Sequence, residues 1–255
     1  MKKNKKNNIK LLRICISFAI VIILAVLSEY NVFKTENSVV SSNEFNQENL
    51  ISKSQVNIDI SSIPAYSGQI VIDINSNIPY FKDEEITTDE FEIYSNLDEL
   101  RRGGVAFGNI CKNIMPPEGV KREAISYKPS GWKQHLYGEN NSKHLYERCH
   151  LIAWQLGNEN NNKKNLITGT SAMNSAMIPL ENEIATWIKT KNKEGKDYHV
   201  LYRVTPVYEG DNLVATGVEL EAKSVEEEGV LFNKFIYNIQ EGFKINYKTG
   251  ESEEI

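Results

Sequence analysis

The sequence predicts an α+β fold with a mainly antiparallel sheet, preceded by an N-terminal signal or anchor segment and a linker. Three observations predict it. Alternating apolar and polar runs lie on both sides of one stretch with helical spacing, turn-forming Asn and Gly separate the runs, and one basic-then-apolar segment stands at the N-terminus. With 255 residues, 40% hydrophobic and 25% charged, the composition is that of an ordinary globular chain, which excludes fibrous repeats and multi-span membrane proteins.

In order along the chain, residues 1–28 read as a signal peptide or membrane anchor. Lys2, Lys3, Lys5, Lys6, Lys10 and Arg13 precede an unbroken apolar run from Ile14 to Leu27, the charge asymmetry of an exported N-terminus. A spanning helix takes about 20 apolar residues and no clear cleavage site follows, so cleavage and retention both stay open. Residues 29–62, rich in Ser, Asn, Glu and Gln, read as a flexible linker, and residues 63–255 as one folded domain. Within that domain Gly68–Phe81 (GQIVIDINSNIPYF) alternates as a strand or hairpin, Thr88 to Arg102 reads as loop and short helix, and Arg102–Ile110 as a core strand. Glu147–Gln155 (ERCHLIAWQ) is strand-like, and GNENNNKKN after it an exposed loop. Leu180, Ile184, Trp187 and Ile188 recur at helical spacing, with Pro179 placed to open that helix or its second segment. Tyr198–Pro206 and Asn212–Glu221 alternate as strands about an EGDN turn, and Leu231–Gln240 repeats the pattern.

Charge narrows the function. Taking the six N-terminal cations from the formal net charge of −5 leaves −11 on residues 14–255, an acidic body unsuited to coating nucleic acid electrostatically. A local basic track remains compatible with it; Lys112, Lys121, Arg122, Lys128, Lys133, Lys163 and Lys164 are its candidates, with Lys128, Lys163 and Lys164 the expected substrate contacts.

Of the four histidines only His150 has a charged, patterned neighbourhood, Tyr146-Glu147-Arg148-Cys149-His150. On a strand Arg148 and His150 project together while Glu147 and Cys149 face away. An Arg fork can hold a phosphate oxygen while a neutral imidazole takes a proton from water; a buried, hydrogen-bonded His beside an ion pair is the alternative. Asn165, Asn174 and Glu181 form a second set. If the helix continues through Pro179, Asn174 and Glu181, seven residues apart, share a face and could meet a hard cation or its waters; Asn caps and a solvated Glu are the alternative. Cys111 and Cys149 could pair, act as nucleophile, or join a histidine around zinc, although no Cys-x-x-Cys spacing supports zinc. Trp132, Trp154 and Trp187 read as core residues.

The string YERCHLIAWQLGNENNNKKNLITGTSAMNSAMIPLENEIATWI resembles the core of the DNA/RNA non-specific endonucleases of the ββα-metal type, in particular secreted bacterial and DNA-entry nucleases. The family hallmark Asp-Arg-Gly-His stands here as Glu147-Arg148-Cys149-His150, with KPSGW upstream and YRVTPVYEGDNLVATGVELEAKSVE downstream extending the likeness over roughly Gly68 to Gly250. The resemblance implies His150 as general base, Asn174 as the one direct protein ligand of Mg2+ (with Mn2+ as substitute), Glu181 holding a metal-bound water, Asn165 supporting the site and Arg148 near the phosphate. It implies DNA, and RNA as a second polymer, as substrates without sequence preference, cut outside the cell by a protein secreted or anchored to the outer face of the cytoplasmic membrane; it says nothing of protein partners. The competing expectation is a catalytically silent nucleic-acid-binding or DNA-uptake protein, in which Glu147 and Cys149 misplace the base.

Overall fold

The computed structural model describes residues 62–192 and 195–255, so the N-terminal signal or anchor and all but the end of the linker lie outside the described residues. Twelve strands and two helices are named in chain order. They are β1 (Val71–Asp73), β2 (Phe91–Tyr94), β3 (Ala106–Ile110), β4 (Leu136–Tyr137), β5 (Lys143–His144), β6 (Tyr146–His150), α1 (Trp154–Gly157), β7 (Leu166–Thr170), α2 (Ser171–Lys191), β8 (Val200–Val207), β9 (Gly217–Ser224), β10 (Leu231–Tyr237), β11 (Phe243–Asn246) and β12 (Glu251–Glu254). Among the described residues no helix is long and apolar enough to cross a membrane.

The main sheet is antiparallel throughout and ordered β1-β10-β9-β8-β3-β2. Its central strands alternate between two covered faces. Tyr202, Val204, Val218, Leu220 and Phe232 join Met173, Met177, Ile184 and Ile188 of α2 in the principal core, burial that supplies roughly 1.5–3 kcal/mol per large side chain. Toward the other face, Leu201 packs with Ile93, Phe107, Phe81 and Ile86. Arg203, with no exposed surface, is held there by Glu221 (Nε to Oε2, 2.7 Å) and Glu85 (Nη1 to Oε1, 2.7 Å).

The site rests on a smaller unit, β6 and β7 followed directly by α2. The two strands pair antiparallel from Tyr146↔Thr170 to His150↔Leu166, and Thr170 caps the helix by accepting the N–H of Met173 at 3.0 Å. Gly169 is required in this pairing: a Cβ there would lie 2.3 Å from Cys149 Sγ and 2.4 Å from Met173 Cε.

Several expected elements differ. Of the two placements open for Pro179, the structure takes the internal one, with the helix beginning at Ser171 and running through the proline; the proline leaves the Ser175 carbonyl without its N–H donor, yet Pro179 faces solvent and the buried residues on either side keep the helix continuous. Residues 91–94, expected in a loop and short helix, form β2 against β3. Trp154 and Gln155, expected to end a strand-like run, instead open α1. β9 begins at Gly217 rather than Asn212, and the Gly210 and Asn212 carbonyls of the preceding loop accept Arg102 Nη1 at 2.7 and 3.0 Å. The strand opening the domain is short and pairs with β10 instead of closing a hairpin. Cys111 and Cys149 are both free and buried.

Candidate active site

His150 is the last residue of β6, 93% removed from solvent, and both ring nitrogens are engaged. Nε2 lies 2.9 Å from the Asn160 carbonyl and Nδ1 lies 3.0 Å from Arg122 Nη2. A carbonyl only accepts and a guanidinium only donates, so the ring is the neutral Nε2–H tautomer with its lone pair on Nδ1. Burial, reinforced by the Arg122 charge, lowers the His150 pKa to about 4. The imidazole is therefore unprotonated at neutral pH.

The backbone after His150 is pinned by Asn165. This residue has no exposed surface, accepts the Ile152 N–H (2.8 Å) and donates to the Ile152 carbonyl (2.9 Å). It braces the turn that leaves the strand and does not border the cavity beside His150. That cavity is lined by Arg122, Glu147, Arg148, His150, Asn174 and Glu181, together with Ala153, Trp154, Gln155, Ile178 and Asn182. The unbroken α2 puts Asn174 and Glu181 on one face, toward the cavity. Glu181 is buried, and desolvation raises its pKa to about 7, against the opposing pull of Arg122 and a Gln155 hydrogen bond.

Arg148 donates from Nε to the Tyr127 carbonyl (2.7 Å) and lies over the Trp132 ring, 4.5 Å from its centroid. Glu147 also borders the cavity, contrary to the strict alternation expected of the strand, because β6 meets the N-terminal end of α2 there and Glu147 reaches Ser171 Oγ at 3.3 Å. Cys149 does face away. It is fully buried, and desolvation holds its thiol far above the usual range, which removes it as a nucleophile. Trp154 borders the cavity and is half-buried, where a core position was expected.

Lys128, Lys163 and Lys164 do not line this cavity; Lys133 is paired with Glu251 at 2.8 Å. Arg122, one of seven basic residues considered for a phosphate track, is the one brought to His150. The Asn-rich stretch after α1 accounts for this. Asn160 Oδ1 accepts Arg122 Nε (3.1 Å), Asn160 Nδ2 donates to the Glu123 carbonyl (2.8 Å), and Asn161 Nδ2 donates to Ser126 Oγ (3.2 Å). A run that reads as a solvated loop thus clamps the 122–127 segment over the site. Gln155, which reaches Asn182 at 3.1 Å, carries no signal in sequence beyond its neighbourhood.

The profile of the DNA/RNA non-specific endonuclease family matches residues 82–226, a span that contains every site residue above. The chain belongs to this family. The endonuclease resemblance carried by Glu147-Arg148-Cys149-His150 and the residues after it is thereby borne out. A curated relative described as a deoxyribonuclease, from Streptococcus dysgalactiae subsp. equisimilis, is 28% identical; the match covers 62% of this chain and 59% of that protein. The chain thus spans about three fifths of the length of that relative. Among solved structures, NucA from Streptococcus agalactiae with no metal bound aligns with TM-score 0.62 at 22% identity, over 77% of this chain and 92% of NucA. The Sda1 nuclease with bound zinc ion aligns with TM-score 0.54 at 27% identity, over 65% of this chain and 80% of Sda1. The endonuclease fold, a mainly antiparallel sheet with a ββα unit, is common to them.

Proposed function

We propose that this endonuclease-family chain is an exported, metal-dependent hydrolase of phosphodiester bonds, acting on DNA, and on RNA as a second polymer, without sequence preference. Residues 63–255 form its catalytic domain and residues 1–28 its signal or anchor. The observation that carries the reading is the neutral His150 ring, whose Nδ1 lone pair faces a cavity shared with two guanidinium-bearing residues, two carboxylates and three carboxamides, Asn174 and Glu181 among them. The named activity of the deoxyribonuclease relative and the metal-bound nucleases of like fold support it.

Asn174 and Glu181 offer hard oxygen donors, the buried carboxylate being costly to ionise unless a cation faces it, which fits Mg2+ or Mn2+. Asn174 would hold the ion directly and Glu181 through a water. When bound, the ion supplies positive charge against the leaving 3′ oxygen. In this reading His150 Nδ1 takes the proton of the water that attacks phosphorus, while Nε2–H stays on the Asn160 carbonyl and keeps the ring oriented. Arg122 leaves Nδ1 for a phosphate oxygen as substrate enters, which frees the base only when a phosphate is present. Arg148, already stacked on Trp132, presents its remaining N–H groups to the neighbouring oxygens. Asn165 acts through the Ile152 turn and is a positioning residue.

The test is cleavage of double-stranded DNA by the purified full chain with Mg2+, beside EDTA and His150→Ala controls. Cleavage lost in both controls supports the reading. A folded wild-type chain that binds DNA in a salt-sensitive way and cuts neither DNA nor RNA overturns it in favour of a binding role.

A further inference from the structure

At one end of the main sheet four strands start or stop together. The ladders place Phe91 opposite Asn109, Ile110 opposite Val200, and Val200 opposite Ser224. The residues one step beyond these ladders are Glu90, Cys111 and His199, with Glu226 two residues past the end of β9. None of them borders the His150 cavity.

We propose that Glu90, Cys111 and His199 form a second metal site, for zinc or a cation of similar softness, that ties together the ends of β2, β3 and β8. A carboxylate oxygen, the Cys111 Sγ and an imidazole nitrogen all lie within 4.8 Å of one another. Around tetrahedral zinc, ligand atoms at about 2.0–2.3 Å from the ion stand roughly 3.3–3.8 Å apart, so side-chain rotation of about 1 Å closes the set.

The surroundings are those of a ligand set. His199 Nδ1 is 2.5 Å from Glu226 Oε1, and the other oxygen of Glu226 accepts the His199 backbone N–H at 2.8 Å. Glu226 thus holds the ring through Oε1 while Oε2 is fixed on the backbone of the same residue, which leaves Nε2 for the ligand role, the arrangement by which carboxylates support metal-bound imidazole. The backbone N–H groups of Ile114 and Asn113 hydrogen-bond to Cys111 Sγ, against burial, the larger effect, which raises the thiol pKa. Asn113 Nδ2 in turn donates to Glu90 Oε1 at 2.5 Å, so the Cys-Lys-Asn turn orients two of the three ligands. Cys111 and His199 are buried and Glu90 is exposed, so solvent can supply a fourth ligand on the Glu90 side.

The donor chemistry separates this site from the catalytic one. A thiolate and an imidazole select zinc, whereas the oxygen donors of Asn174 and Glu181 suit magnesium. The alternative is a thiol hydrogen-bonded to Glu90 with no cation.

Cobalt reports on the difference, because a thiolate ligand gives Co2+ a charge-transfer absorption that oxygen ligands do not. The full chain titrated with Co2+ is expected to develop this band at about one equivalent and lose it on addition of Zn2+. The band should persist in Asn174→Ala and Cys149→Ser and vanish in Cys111→Ser. Glu90→Gln, a change at an exposed residue, keeps the proposal testable should Cys111→Ser fail to fold: Zn2+ affinity should fall about 10-fold or more, and by a similar factor in Glu226→Gln. No band in the wild-type chain, a band that survives Cys111→Ser, or Zn2+ affinity unchanged in Glu90→Gln would each overturn the proposal.

Discussion

Arg122 Nη2 donates to His150 Nδ1 across 3.0 Å, so the guanidinium of one residue sits on the lone pair that the other would use as a base. The Arg122 charge also pushes the His150 pKa in the same downward direction as burial, the larger cause. Arg122→Ala is therefore expected to raise that pKa from about 4 part of the way toward 6.5, since desolvation remains. The acid limb of the pH–rate profile should move to higher pH while kcat/KM falls roughly 10- to 1,000-fold through loss of the phosphate contact. A profile that keeps its acid limb would show that Arg122 does not act on the imidazole.

Glu181 titrates in the opposite sense. Burial raises its pKa to about 7 in the metal-free protein, so a cation must compete with a proton below that pH. Mg2+ affinity measured by calorimetry is expected to rise as pH increases from 6 to 8, and Glu181→Gln should both weaken binding and remove this dependence. Equal pH dependence in the variant would assign the titration to another group.

Asn165 offers a separation of support from chemistry. Its side chain satisfies both the N–H and the carbonyl of Ile152 in a fully buried setting, so Asn165→Ala leaves two backbone groups unpaired and should destabilise the fold by about 2–4 kcal/mol. Activity should fall through kcat as the turn beyond His150 loosens. Denaturant titration and steady-state kinetics of the same preparation would read both effects; full stability with reduced activity would mean that Asn165 meets the substrate instead.

Glu219 gives the far face of the sheet a pH signature. It has no exposed surface, and desolvation together with Glu221 raises its pKa to about 8 against the opposing pull of Asn233 and Arg203. The folded state holds this proton up to about 8 while the unfolded chain releases it near 4.5, so the contribution to stability is greatest below 4.5 and declines as pH rises to 8. At roughly 1.4 kcal/mol per unit of separation the loss amounts to a few kcal/mol. Glu219→Gln should flatten melting temperature against pH across this window; an unchanged slope would place the titration elsewhere. His150, with its lowered pKa, works at the other end and removes stability as pH falls from 6.5 toward 4.

Much of the fold and site was legible in the chain alone. Alternation set β8 and β10 to within a few residues, because strand faces are read by a period of two. The Arg148-Cys149-His150 run and the Asn174/Glu181 spacing marked the site, because they are local features on one strand and one helix. Whether α2 began before Pro179 was left open, since its first turns owe their helicity to the Thr170 cap and to Met173 and Met177 packing on the sheet rather than to a local period. β2 was missed because four residues are too few to show an alternation that pairing with β3 enforces.

By itself, then, the sequence determined the family and the α+β class, and it marked the residues on which the proposed phosphodiester cleavage rests. Tertiary structure alone decided which cation reaches His150. Seven basic residues were candidates in sequence, with Lys128, Lys163 and Lys164 preferred, yet Arg122 is the one carried to the imidazole, by hydrogen bonds from Asn160 and Asn161 nearly forty residues away. It likewise decided that Cys111 meets His199 and Glu90 rather than Cys149. Strand register brings together residues far apart in the chain, and register depends on the whole sheet at once, which no local pattern encodes.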